Sequence, residues 1–296
     1  MSDLKTIVII GASSGIGAAL THSLAGEGHR LFIGARRIDR LAEVSENGTL
    51  ARYAALDVGE ESQVKHFFDQ VATAFDAVDV LIVCAGTYGP IGPFEELDAA
   101  AWWSSVTSNL FGTFLSVRYA VPLMRVERKP RIITFSGGGA FGPLPRYSAY
   151  ATSKAGIVRL TETIAQELAP VGITANAVAP GFVRTEIHHD TLAAGPEAAG
   201  EAFYAMTQQR LADGAVPMEV PVACVRFLIS AAADGLTGKT LSASFDPWTE
   251  PEFLTNLRDI TASDVYTMRR INPVQLSDGP LRTGLQRAIA RRTGKP

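Results

Sequence analysis

The stretch 5–29, KTIVIIGASSGIGAALTHSLAGEGH, decides the architecture of this chain. Its opening KTIVII (5–10) is an apolar, β-branched run of strand length. Gly11, Gly15 and Gly17 follow, and then a segment with helical apolar spacing that closes near Gly26 and Gly28. Strand, glycine turn and helix together form the context a phosphate-binding loop needs. Glycines let the backbone turn tightly and approach a diphosphate, while the helix N-terminus offers free N–H groups and the positive end of its dipole. The alternative is an ordinary glycine-rich turn; the flanking elements favour cofactor binding by Gly11, Ser13, Ser14, Gly15, Ile16 and Gly17.

Moving outward, RLFIGA (30–35) reads as a second strand. Chains that bind NAD through this arrangement place Asp or Glu near its end, to hold the ribose 2′-OH. Here Ala35 is followed by Arg36 and Arg37. A guanidinium matches a 2′-phosphate in charge and shape, which favours NADP(H) and leaves NAD(H) possible. The plain alternative is a pair of solvated loop arginines.

The alternation then repeats. IDRLAEVSEN is helical, ARYAALDV (51–58) is a strand that brings Asp57 to where an adenine amino group is held, and 61–75 has a helical apolar face. VDVLIVCAG (78–86) is a buried strand ending in Ala85-Gly86. A loop from 87 runs into a helix, with Trp102 and Trp103 expected to pack inward, and the helix continues to about 124. Strands at 131–135 and 173–181, a helix from Tyr150 to about Ala169, a helix at 220–233 and a last strand at 236–244 complete the pattern. This order of apolar strands and helices predicts an α/β fold with a parallel sheet covered on both faces, and ligands at the carboxyl ends of the strands.

Composition bounds the rest. At 296 residues, 47% apolar and 19% charged, the chain supports a sizeable core. Net charge is 27 − 30 = −3, which offers no global attraction to nucleic acid. No apolar run reaches the roughly 20 residues of a membrane span. The start, MSDLKTIVII, enters a strand at once, so no leader peptide is read there. Cys84 and Cys224 stand far apart, which suggests a reduced, cytoplasmic setting. His188 and His189 are adjacent with no third ligand in view, so they are expected to be solvated and no metal site is expected. They fall in 182–217, a stretch without strand character that reads as a substrate-covering lid with one or two short helices. Residues 281–296 carry Arg282, Arg287, Arg291, Arg292 and Lys295 and no acid. That end reads as a solvated helix face, a subunit contact or a weak anion patch.

The chemistry is expected in SGGGAFGPLPRYSAYATSK (136–154). Tyr150 and Lys154 are four residues apart and share a face if the segment is helical. An ammonium beside a phenol favours the phenolate, so such a pair can trade a proton with a substrate oxygen. A chance surface pair is the common alternative. Asn109, beside the small Gly112 in an apolar helix, either satisfies a bulged backbone group or anchors a water.

Taken in order, Gly11-x-x-x-Gly15-x-Gly17, Asp57-Val58, Ala85-Gly86, Asn109, Tyr150-x-x-x-Lys154 and Pro180-Gly181-x-Val183-x-Thr185 resemble the short-chain dehydrogenase/reductase family. The resemblance runs from about Lys5 to Ser244 and implies one Rossmann-type doubly wound domain over residues 1–244. It also implies hydride transfer between a nicotinamide and an alcohol/carbonyl carbon of a small molecule. Tyr150 is then the general acid/base, Lys154 binds the nicotinamide ribose and depresses the Tyr150 pKa, and Asn109 holds a relay water. Val183 and Thr185, with Pro180-Gly181, hold the nicotinamide carboxamide, and Arg36 meets the 2′-phosphate. A homodimer or homotetramer is expected.

Three departures stand out. The substrate-orienting serine of the family falls, counting back from Tyr150, on Gly137, and Ser136 is one residue early. A one-residue slip on an extended strand turns a side chain to the other face, unless the following glycines bulge or their N–H groups polarise the carbonyl instead. The family's Asn-Asn-Ala-Gly reads Val83-Cys84-Ala85-Gly86. The usual ending is replaced by an extension, 245–296, expected to cover the pocket or a neighbouring subunit. Two other readings remain at this point: an NADP-binding sensor with little turnover, and a redox-assisted epimerase or dehydratase.

Overall fold

The computed structural model describes residues 4–46 and 51–270, together with Gly279 and Thr283. Strands β1 (Thr6–Ile10), β2 (Arg30–Ala35) and β3 (Arg52–Ala55) alternate with helices α1 (Gly15–Gly26), α2 (Ile38–Glu46) and α3 (Glu61–Ala74). Then come β4 (Val80–Val83), α4 (Ala99–Val106), a π-helical turn (Thr107–Phe111) and α5 (Gly112–Ala120). The chain continues with β5 (Arg131–Phe135), α6 (Ser148–Leu168), β6 (Thr174–Ala179), α7 (Ile187–Ala199), α8 (Glu201–Gln209), α9 (Glu219–Ile229) and β7 (Thr240–Ser242). Two short helices, α10 (Pro251–Thr255) and α11 (Leu257–Ala262), follow.

All seven strands are parallel, in the order β3-β2-β1-β4-β5-β6-β7. The sequence-based strands at 51–58, 78–86 and 236–244 run too long: the chain leaves β3 and β4 toward the ligand side after Ala55 and Val83, and 236–239 form a bend that precedes β7. Period-2 alternation sends neighbouring residues of one strand to opposite layers. Ile7 and Ile9 join Leu20, Leu24, Leu41 and Leu228 on one side. Val8 and Ile10 join Val64, Phe67, Leu115 and Ile164 on the other. Both layers are closed to water over the central strands, which is why β1 and β4 are apolar runs rather than alternating, whereas the edge strand β3 is largely exposed. The order reverses between β1 and β4, so the crevice at their carboxyl ends is where a ligand fits.

Residues 245–270 pack back on the domain. Trp248 stacks on Phe227 of α9 at 5.6 Å between ring centroids and donates Nε1–H to the Ala243 carbonyl. Phe253 meets both Phe227 and Tyr266. Thr240 N–H donates to the Tyr266 carbonyl at 2.8 Å, so the extension covers part of the open edge of β7. The basic stretch 281–296, Thr283 apart, lies outside the described residues. Among the described residues no helix is long and apolar enough to cross a membrane.

Candidate active site

The carboxyl ends of β1, β2, β4, β5 and β6 open into one cavity of about 910 Å³. Every residue singled out for cofactor contact lines it: Gly11, Ser13 through Gly17, Arg36, Arg37, Asp57, Val58, Ala85, Gly86, Pro180, Gly181, Val183 and Thr185. The glycines are required by space. A β-carbon on Gly11 would come within 2.5 Å of the Ala85 nitrogen, and one on Gly17 within 2.3 Å of the Gly11 carbonyl oxygen. Gly11 and Gly15 also hold positive φ angles of 86° and 55°. The N-terminus of α1 therefore faces the cavity with only the small side chains of Ser13 and Ser14 and that of Ile16 beside its glycines, a cradle that suits a diphosphate. Asp57 is held by the Gly59 N–H at 2.9 Å, at the rim beside β2.

Tyr150 and Lys154 lie on one face of α6, and both are buried. Lys154 Nζ sits 5.6 Å from the Tyr150 ring centroid and donates to the Phe135 carbonyl at 2.8 Å. Burial lowers the Lys154 ammonium to about 8. Burial also pushes the Tyr150 phenol above its ordinary value. Loss of solvation is the leading cause of both shifts, and for Tyr150 its direction is opposite to the expected depression by Lys154.

Asn109 sits in the π-helical turn, where the widened backbone points its amide at the loop after β4. Its Oδ1 accepts from Thr87 N–H and its Nδ2 donates to the Thr87 carbonyl, both at 2.9 Å. Nδ2 also donates to Ser153 Oγ at 2.9 Å. Ser153 in turn donates to the Tyr150 carbonyl. Asn109 thus braces the loop that carries Gly86 and the helix that carries Tyr150.

Position 137, not 136, faces the tyrosine. A β-carbon on Gly137 would lie 2.2 Å from Tyr150 Oη. Ser136 lines the cavity, but its Oγ is buried and has no hydrogen-bond partner among the described residues. Gly137 and Ala140 close a tight turn, with Gly139 at φ 85°.

Sequence reasoning missed a buried polar group on this wall. His188 is buried rather than solvated; only His189 is exposed. The His188 ring stacks on Phe182 at 3.8 Å, and its Nδ1 lies 3.0 Å from Tyr88 Oη. Tyr88 packs edge-on against Tyr150 at 4.8 Å. Burial lowers His188 to about 4, so the ring is neutral near pH 7. Three residues on, Thr191 accepts from Tyr147 Oη at 3.0 Å. Two tyrosine hydroxyls thus grip one face of α7. The signal available in sequence was the i, i+3 spacing of His188 and Thr191, which needs knowledge of the opposing tyrosines to be read. Trp103 is likewise 65% exposed rather than packed, while Trp102 donates Nε1–H to Ser148 Oγ.

A glycine cradle at the switch point of a doubly wound sheet defines a dinucleotide-binding α/β protein. Comparison with known proteins narrows this. The short chain dehydrogenase family profile matches residues 5–194. The cis-4-hydroxycyclohexanecarboxylate dehydrogenase of Sinomonas cyclohexanicum is 36% identical over 242 residues, 80% of this chain and 94% of that one. The 3beta-hydroxysteroid dehydrogenase 1 of Eggerthella lenta is 33% identical over 247 residues, 80% and 91% respectively. A structure of actinorhodin polyketide ketoreductase with NADPH superposes with a TM-score of 0.72 at 28% identity, covering 82% of this chain and 96% of that one. The chain belongs to the short-chain dehydrogenase/reductase family and is an NAD(P)-dependent oxidoreductase of that family.

Proposed function

We propose that this enzyme uses NADP(H) to interconvert a carbonyl and a secondary alcohol on an apolar, ring-bearing substrate, with Tyr150 as general acid/base. The observation that carries the reading is the opening of Tyr150 and Lys154 into the same cavity as the glycine cradle. In reduction, Tyr150 Oη gives its proton to the substrate oxygen; in oxidation it takes it back. Burial disfavours the phenolate, so the resting group carries its proton. Lys154, anchored on the Phe135 carbonyl, is a fixed cation that holds the ribose and the tyrosine side of the cavity in register. The nicotinamide, when bound, supplies or accepts the hydride.

NADP(H) preference is supported by Arg36, which is exposed and makes no ion pair among the described residues, and by the absence of an acid at Ala35. The substrate class is supported by the inner lining of Tyr88, Leu144, Phe203 and Met206 and by the exposed rings of Phe141 and Phe245 at the rim. The segment 182–217, pinched at its base by the bridge between Val183 and Val216, closes this side as a lid. The relatives named above act on ring-bearing hydroxyl compounds, in line with this reading.

Tyr150→Phe tests it. NADPH affinity stays within about twofold and turnover of cyclic ketones falls by roughly two orders of magnitude or more. Near-normal turnover in that variant overturns the mechanism. The missing hydroxyl at 137 favours one second reading, an NADP-binding protein with little turnover. Firm NADPH binding with no turnover across cyclic and open-chain ketones would select it.

A further inference from the structure

Arg37 and Arg36 are adjacent in sequence but differ in the structure. Arg37 Nη1 donates to Glu186 Oε2 at 2.8 Å, and Nη2 donates to Ser14 Oγ at 2.7 Å and Ser13 Oγ at 3.3 Å. All four residues line the mouth of the cavity. One guanidinium therefore ties the glycine loop to the chain between β6 and α7. The hydrogen bond from Arg37 draws the Glu186 carboxyl below its usual range, so it is an anion at neutral pH. A guanidinium and loop hydroxyls are the donor set a phosphate seeks. A carboxylate oxygen already occupies it.

We propose that Glu186 is an internal stand-in for the 2′-phosphate of the cofactor, placed on Arg37 by the segment that follows β6 and displaced when a phosphorylated adenosine binds. The inference rests on the NADP(H) reading above. Two consequences follow. Glu186 weakens the phosphorylated cofactor selectively, and so sets the ratio between NADPH and NADH. Displacement also frees the connection ahead of α7. The helix itself stays held through His188 on Tyr88 and Thr191 on Tyr147. The released part is therefore short, about residues 184–187, because Val183 stays bridged to Val216; this places Thr185 under the control of the adenosine end.

The test is calorimetric titration of the full chain and its Glu186→Gln variant with NADPH, NADH, adenosine 2′,5′-bisphosphate and 5′-AMP. Arg37 and Glu186 side chains are each about half exposed, 48% and 47%, which limits the effect to roughly threefold. Glu186→Gln is expected to tighten NADPH and the bisphosphate by that factor and to leave NADH and 5′-AMP unchanged. No change, equal tightening of all four, or weaker NADPH binding would overturn the proposal. Hydrogen exchange supplies the second readout. In the unmodified protein the bisphosphate speeds exchange at 184–187 and 5′-AMP does not; equal behaviour overturns the release. If the unmodified protein binds NADPH no better than NADH, the cofactor reading itself fails. A clear NADPH preference with a silent Glu186→Gln variant defeats this inference alone.

Discussion

Gly137 stands so close to Tyr150 that a β-carbon on it would lie 2.2 Å from the phenol oxygen. The tyrosine hydroxyl occupies the volume that a side chain at 137 would need. No rotamer of a larger residue relieves this, because the β-carbon itself is the clashing atom. The glycine is thus a condition for the present placement of Tyr150 rather than a simple loss of a hydroxyl.

Gly137→Ala is therefore expected to push the phenol aside. Turnover should drop at least about tenfold, with NADPH affinity changed less than twofold, since an ångström of misplacement is enough to cost this much. Steady-state kinetics and titration check the split. Unchanged turnover would mean that the tyrosine relaxes without loss of aim.

Tyr88→Phe leaves His188 Nδ1 in a buried setting without its partner. An unsatisfied buried group costs about 1–3 kcal/mol. Denaturant unfolding should show that loss. Because Tyr88 braces the Tyr150 ring, the KM for a cyclic ketone should rise as well.

His188 gives stability a pH dependence of known sign. Its folded value of about 4 lies below the ordinary 6.5, so the fold favours the neutral ring. The unfolded chain binds more protons between these values, and stability therefore falls as pH drops from 6.5 to 4. The loss attributable to this residue is up to ~3 kcal/mol. Melting curves of the unmodified protein and His188→Gln should converge on acidification across that window; parallel curves would remove the assignment.

Trp248→Ala removes a ring that stacks on Phe227 and holds the Ala243 carbonyl. The expected cost is about 3–5 kcal/mol. A variant as stable as the parent would show that the extension does not support the domain.

The order of elements was legible because parallel strands buried on both faces leave apolar runs of five or six residues, such as TIVII and RLFIGA. The glycine loop was legible because three glycines within seven residues, between an apolar strand and a helix, mark a tight turn, although the close neighbour that demands Gly11 is Ala85, just past the end of another strand. His188 was not legible. It lies in a segment without periodic pattern, and its partner Tyr88 is 100 residues away in the chain. Trp103 misled in the opposite sense, since aromatic character says nothing of which side of a helix meets the core. The pKa direction of Tyr150 also depended on burial, which no pairwise spacing reports.

Local sequence made the strands and helices, the glycine loop and the Tyr150–Lys154 pair legible, because each leaves its pattern within one stretch of residues. Folding alone decided which of two adjacent arginines is committed. Arg37 meets Glu186 across 149 residues, while Arg36 makes no ion pair among the described residues. It also decided that Gly137 faces the phenol and that α7 is held by two tyrosines. Those relations join segments distant in the chain, and their distances follow from how helices pack on the sheet, a property that no single stretch of residues encodes.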